Sequence, residues 1–448
     1  MNLRSAALIT AIAGTLVGPA AFATEARIRS MGGGVKLWTI EDESNIYDFP
    51  SLLVRYGNRV YLDNLQPGTN DGEIFPNGRF GFHYNLSDDT VIAFFGAHED
   101  STTRPAGSGF NVAGNLVNGF STLGVAFQAS QAGESGGGTT EPMAVSGDAI
   151  GNTDYRYGLM FATQLGATTR FGVMLNFAAD NGDQESPGDQ ELDQGGMLFD
   201  LALGLGVDLS GSELELSAGL ELGFFDDARD EADAGSGVPG NQLEHFTGSH
   251  FGLRFTGRWT FDFFDQTKIV TYAQFQLANQ SVELSNAIAP VPSGSWNGIG
   301  FTLGADLRIE PFQDVIVSPG LGFLVSQQTL EGTTNVDRDA DLLLGLPFYG
   351  IGVDLKLTSW LDMRFGGQQF VQALRHSTTT AGGVTTTQSA SDVTTTFSWG
   401  LGLNIPVAES MLAIDLSLNP EFFINGPHLL TGNATGPFAF NAAVRYNW

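Results

Sequence analysis

The sequence predicts an all-β protein, a transmembrane antiparallel β-barrel of about sixteen strands with an amino-terminal plug-like segment. Three observations lead there. Apolar residues recur at every second position in many segments, and the charges of those segments fall on the opposite face. Short turns alternate along the chain with longer polar connections. The chain ends on an aromatic residue in the middle of one such alternating run.

Composition narrows the class. The chain has 448 residues and a formal net charge of -29, from 49 acidic and 20 basic residues. That balance argues against nucleic acid as a partner. Aromatic content of 11% and ordered apolar patterns argue against disorder. No Pro/Ser linker divides the chain into soluble domains. Beyond residue 23 no stretch is apolar for the roughly 18–20 residues of a helical span, so any membrane crossing is made by strands. The absence of cysteine removes disulfides, thiolate metal sites and a cysteine-linked lipid anchor.

Residues 1–23 read as a signal peptide. Arg4 supplies the positive charge, residues 6–18 are apolar, and Ala21-Phe22-Ala23 fits a small-x-small cleavage site. Residues 24–58 follow without a sustained strand pattern. They read as a plug, or alternatively as a periplasmic tail leading into the first strand.

Residues 59–448 read as the barrel. In residues 201–209, Leu201, Leu203, Leu205, Val207 and Leu209 oppose Ala202, Gly204, Gly206 and Asp208. Residues 214–222 set Leu214, Leu216, Ala218, Leu220 and Leu222 against Glu215, Ser217, Gly219 and Glu221. Residues 251–263 set an aromatic-rich face (Phe251, Phe255, Trp259, Phe261, Phe263) against Arg254, Arg258 and Asp262. Residues 301–309, 351–357 and 412–418 repeat the pattern, with Asp306, Arg308, Asp354, Lys356 and Asp415 on the polar face. Solvent explains such purity. A Lys or Arg facing lipid at the bilayer midplane costs about 2–4 kcal/mol, whereas a wet interior tolerates charge. A soluble sandwich also alternates, but it turns its charged face outward to water.

Short turns fall at residues 87–89, 166–169, 210–212, 265–267, 311–314, 358–359 and 407–410. Longer polar stretches lie between them at residues 180–194, 226–244, 284–296, 331–340, 376–392 and 425–435. The strands these turns join, one more over residues 59–65 and the final strand make about sixteen, an even number as both ends on one side require. Residues 120–129 form either a further strand or part of a long loop, so fourteen or eighteen strands remain open. Strand length is expected at about 11–17 residues, beyond the usual five or six of soluble sheets.

In the final strand, Trp448, Tyr446, Val444, Ala442, Phe440 and Phe438 share one face. This ending resembles the assembly signal of bacterial outer-membrane β-barrels, carried by Phe440, Val444, Tyr446 and Trp448. The amino-terminal segment adds a second resemblance. Ala26-Arg27 and Met31-Gly32-Gly33-Gly34 precede an acidic patch at Asp42 and Glu43, then Tyr47, Phe49-Pro50 and Leu52. Residues 26–53 thus resemble the FadL-like outer-membrane family, the long-chain fatty-acid transporter type. Phe49-Pro50 stands where Asn-Pro is usual in that family, and three glycines replace two. The resemblance implies that residues 24–58 fold inside the barrel as a hatch. It also implies passage of hydrophobic compounds across the outer membrane of a Gram-negative bacterium.

Little else suggests chemistry. The histidines (His83, His98, His245, His250, His376, His428) show no metal-ligand spacing. Asp337-Arg338-Asp339-Ala340-Asp341 opens like a calcium loop but lacks its later Gly and Glu. Gly204-Leu205-Gly206 and its repeats sit inside strands, with no helix following to make a nucleotide loop. No local motif marks a nucleophile. We therefore expect no catalytic residue, no metal site and no cofactor.

The expected site is the lumen. Glu215, Glu221, Arg254, Arg258, Asp262, Asp306, Arg308, Asp354 and Lys356 are its wall or constriction candidates. The expected function is passive passage of small solutes, hydrophobic by the FadL resemblance. A general polar porin and a non-conducting surface scaffold or adhesin are the alternatives. Expected partners are outer-membrane lipid and lipopolysaccharide, the barrel-assembly machinery and the small-molecule permeant.

Overall fold

A computed structural model describes Arg27, Ser30, Met31 and residues 43–65, 79–98, 155–186, 190–231, 242–286, 294–331, 336–380, 383–418 and 439–448. The proposed signal peptide, residues 120–129 and residues 425–435 lie outside the described residues.

Among the described residues the chain forms strands β1 (Arg59–Leu65), β2 (Arg79–Ser87), β3 (Thr90–His98) and β4 (Tyr155–Leu165). Then come β5 (Thr169–Ser186), β6 (Gln190–Leu209), β7 (Ser212–Glu231) and β8 (Gln242–Phe264). The second half holds β9 (Thr267–Asn286), β10 (Gly294–Phe312), β11 (Val315–Glu331) and β12 (Val336–Lys356). It ends with β13 (Leu361–Thr380), β14 (Thr385–Val407), β15 (Ser410–Leu418) and β16 (Ala439–Asn447). Each strand pairs antiparallel with its neighbours in sequence, and β16 returns to pair with β1. The sheet is a closed barrel.

Closure is a physical necessity in hydrocarbon, where each unpaired N–H or C=O costs several kcal/mol. The seam is made by Val60 opposite Tyr446 and Leu62 opposite Val444. Beyond the last pair, the Trp448 N–H donates to the Asn58 carbonyl at 3.1 Å. Tight turns suit this up-and-down path. Gly166 and Gly211 supply the left-handed backbone that two of them need, at φ of 73° and 76°.

The two faces invert the order of a soluble protein. Leu203 is 44% exposed while its neighbour Ala202 is 0%, and Phe255 is 51% exposed while Arg254 is 2%. Large apolar residues look out and charges look in. A soluble barrel would bury the first and expose the second. The outward belt continues over most of the long strands, far beyond the few hundred Å² of apolar patch that water tolerates. Phe264, Phe312, Trp360 and Trp448 are exposed at the rim of short turns, where amphipathic rings meet a membrane interface.

Two sequence expectations change. Strands run from 7 to 23 residues among those described, a wider range than expected. The longer polar stretches are largely paired strand. β5 and β6 continue in register from Asp180 opposite Gly196 to Ser186 opposite Gln190. β13 and β14 likewise pair out to Thr379 opposite Thr385. These stretches carry no apolar alternation in sequence, yet the hydrogen-bond ladder persists through them.

Inside the barrel, residues 43–58 make two short 3-10 turns, Glu43–Tyr47 and Pro50–Arg55. Pro50 opens the second, where its fixed φ is helical and its missing N–H is not needed. Ile46, Tyr47, Phe49, Leu52 and Leu53 bury against the inward residues Val91, Phe95, Met160, Met174, Ala202 and Leu324. Full burial of each large side chain contributes about 1.5–3 kcal/mol. The close approach needs glycine on the wall. A Cβ at Gly172 would lie 2.2 Å from the Pro50 carbonyl carbon, and one at Gly204 would lie 2.8 Å from the Ser51 nitrogen.

Candidate functional site: the lumen and its inner segment

Two clusters of buried charge join the amino-terminal segment to the wall. The first stands on β5–β8. Arg170 donates from Nη2 to Glu215 Oε1 at 2.7 Å and to Glu213 Oε1 at 2.8 Å. Its Nη1 donates to Asp208 Oδ2 at 2.5 Å. Glu213 and Glu215 lie two apart on one strand and so face the same way. Arg258 stands opposite Glu215 across the β7–β8 ladder. Three residues of the inner segment reach it. The Ser51 hydroxyl donates to Glu215 Oε2 at 2.6 Å. Arg55 donates to Glu213 Oε1 at 2.6 Å and comes within 3.9 Å of Asp208. The Phe49 ring lies 5.1 Å from the Arg258 guanidinium carbon, a cation–π contact. Gly206 makes room, since a Cβ there would come within 2.8 Å of Glu215 Oε1.

The second cluster stands on β12–β15. Arg364 is 1% exposed and reaches Asp415 at 2.5 Å, Asp362 at 3.3 Å and Asp354 at 3.4 Å. Arg27 grips Asp354 Oδ2 from Nε at 3.1 Å and from Nη2 at 2.6 Å. Asn404 donates to Asp362 at 2.8 Å. Gly402 again leaves the space, for a Cβ there would lie 2.5 Å from Arg364 Nη2. Beside Arg27, the Ser30 hydroxyl donates to the Arg27 carbonyl at 2.6 Å.

The junction with β1 is tied separately. The Tyr47 and Tyr61 hydroxyls are hydrogen-bonded to each other. His83 Nδ1 donates to the Tyr56 carbonyl at 2.7 Å, and Arg59 lies over the Tyr56 ring. Charges this deep are held by pairing. Removing one member leaves the other desolvated without compensation, which costs far more than the pair contributes.

The sequence-predicted residues divide by depth. Glu215, Glu221, Arg254, Arg258 and Asp306 are buried on the inward face. Asp354 belongs to the second cluster. Arg308 sits near the short-turn rim and pairs with Glu310 at 2.9 Å. Asp262 is 61% exposed at the same rim, with Lys268 at 3.9 Å. Lys356 is exposed there too, at the end of β12. Sequence reading did not include Arg27, Ser51, Arg55, Arg170, Glu213, Asp362 or Arg364 among the site candidates. The alternation rule extended to residues 169–177 and 361–370 would have placed Arg170, Asp362 and Arg364 on the inward face. Nothing local pairs Arg27 with a residue 327 positions away.

Among the described residues no group of three or more His, Asp or Glu has the geometry to hold a metal ion.

No family model matches the sequence, and no curated protein matches it. Solved structures are similar at low identity. The Pseudomonas putida toluene transporter TodX is 11% identical, covering 95% of this chain and 99% of that chain at a TM-score of 0.39. The Ralstonia pickettii toluene transporter TbuX is 10% identical, with coverage of 95% and 97% and a TM-score of 0.38. The Escherichia coli outer-membrane transporter YddB is 9% identical, with coverage of 88% and 67% and a TM-score of 0.34. Likenesses this distant carry no inference about what this lumen passes.

Proposed function

We propose that this chain is an outer-membrane channel of a Gram-negative bacterium for passive passage of small hydrophobic solutes. Residues 59–448 are its barrel and residues 24–58 its plug. The observation that carries the reading is the apolar cluster inside the barrel. Phe49, Leu52 and Leu53 meet Phe95, Met160 and Met174 in a lumen whose other inward groups are largely polar. A general polar porin has no use for such a cluster, because it would dry the path that hydrated solutes need. A hydrophobic solute finds there the environment that it loses on leaving lipid.

Chemistry is left to no residue in this reading, and the wall charges act through pairing and field. Outer-membrane lipid and lipopolysaccharide would cover the apolar belt, and the barrel-assembly machinery would read the β16 ending.

The test is uptake into liposomes carrying the purified folded protein, with toluene as the hydrophobic probe and arabinose as the polar one. Toluene should enter faster than through protein-free liposomes, with arabinose unchanged. Arabinose entry would favour the polar porin. Failure of both would favour a scaffold.

A further inference from the structure

The two charge clusters share a composition. On the first, the wall supplies Asp208, Glu213 and Glu215 against Arg170 and Arg258. On the second, it supplies Asp354, Asp362 and Asp415 against Arg364. Among these groups each wall site has more carboxylates than guanidiniums. The amino-terminal segment then brings one arginine to each, Arg55 to the first and Arg27 to the second.

The two sites stand on well-separated parts of the sheet, β5–β8 and β12–β15. The segment is therefore held at two places. The apolar cluster and the junction with β1 attach it as well.

We propose that the wall carries two guanidinium sockets, filled by Arg27 and Arg55, which latch the inner segment into the lumen. Each socket offers a carboxylate oxygen to the guanidinium, Asp354 Oδ2 to Arg27 and Glu213 Oε1 to Arg55. Arg27 donates from both Nε and Nη2 to the one oxygen Asp354 Oδ2, a fork that only a guanidinium presents. A lysine would present a single point charge and fill the same place less well. An emptied socket is an acidic cavity whose preferred ligand is a free guanidinium ion. The sockets deepen the reading of residues 24–58 as a plug, and rest on it only for the consequence that release opens the lumen.

The test uses labelling, which does not depend on solute passage. The chain has no cysteine, so Ser30→Cys provides a single thiol at a site now fully buried beside Arg27. Folding of each variant in liposomes is checked by the heat-dependent gel shift of intact barrels. In the Ser30→Cys background, Arg27→Ala should speed labelling by a membrane-impermeant maleimide about tenfold or more, since a buried partner is lost. Methylguanidinium should return the rate toward that of the parent, whereas sodium at equal ionic strength should not. Arg27→Lys should fall between. Unchanged labelling in Arg27→Ala overturns the latch. Faster labelling that every cation slows equally overturns the socket. Toluene uptake measured on the same liposomes separates this outcome from failure of the channel reading.

Discussion

Asn58 carries more than its size suggests. It sits at φ 51°, in the left-handed region, where the inner segment becomes β1. Its side-chain oxygen accepts from the Asn85 N–H at 3.0 Å, and its carbonyl accepts from the Trp448 N–H. Asparagine tolerates this backbone through local hydrogen bonding, and a β-branched residue does not. Asn58→Val should cost about 1–2 kcal/mol from backbone strain, before the lost hydrogen bond. Reversible urea unfolding in liposomes measures it, and a loss below a few tenths would mean the turn relaxes freely. The faces predict a second contrast. Leu203→Arg should lose about 2–4 kcal/mol in the same assay, as a charge placed against lipid does. Equal tolerance of arginine at Leu203 and of the arginine already present at 258 would contradict the assigned orientation.

At the scale of elements, the last strand and the inner segment behave differently. β16 has no local reason to be stable at the chain end, and its order comes from β1 and β15 on either side. Trp448 stacks on Phe82 and Tyr446 at centroid distances of 5.7 and 6.2 Å, on the outward face of the seam. Trp448→Ser should lower the amount of folded barrel recovered from the outer membrane several-fold. Normal recovery would show that the ending is not read during assembly. The inner segment should act on conduction. Deleting residues 24–58 from the mature chain should raise single-channel conductance in planar bilayers, and an unchanged value would remove the plug from the proposal.

The same elements show what the sequence made visible. Where lipid lies on one side, as at residues 201–209 and 251–263, alternation is enforced and those strands could be read directly. Residues 180–186 and 376–380 pair just as regularly, yet they read as loops. They have no apolar face in sequence, so no pattern separates Asp, Gln, Ser and Thr in a ladder from the same residues in a loop. Thr379 and Thr385, joined across β13 and β14 by their hydroxyls at 3.0 Å, illustrate it. The inward charges were visible as a class, since Glu215, Arg258 and Asp354 lie opposite apolar neighbours. Their partners were not. The contacts of Arg27 with Asp354 and of Arg55 with Glu213 span 327 and 158 positions, and pairing over such distances is decided by barrel closure.

For the whole molecule, every functional statement depends on hydrocarbon surrounding the barrel. The most direct measurement attaches a fluorophore through Leu203→Cys or, separately, Ala202→Cys, in liposomes with brominated acyl chains. These neighbours differ by one position and by the full thickness of the wall. The outward label should be quenched strongly by brominated chains, and the inward one should respond instead to an aqueous quencher or stay shielded. Equal response at both positions, or no quenching by lipid at the outward one, would contradict a membrane-spanning barrel.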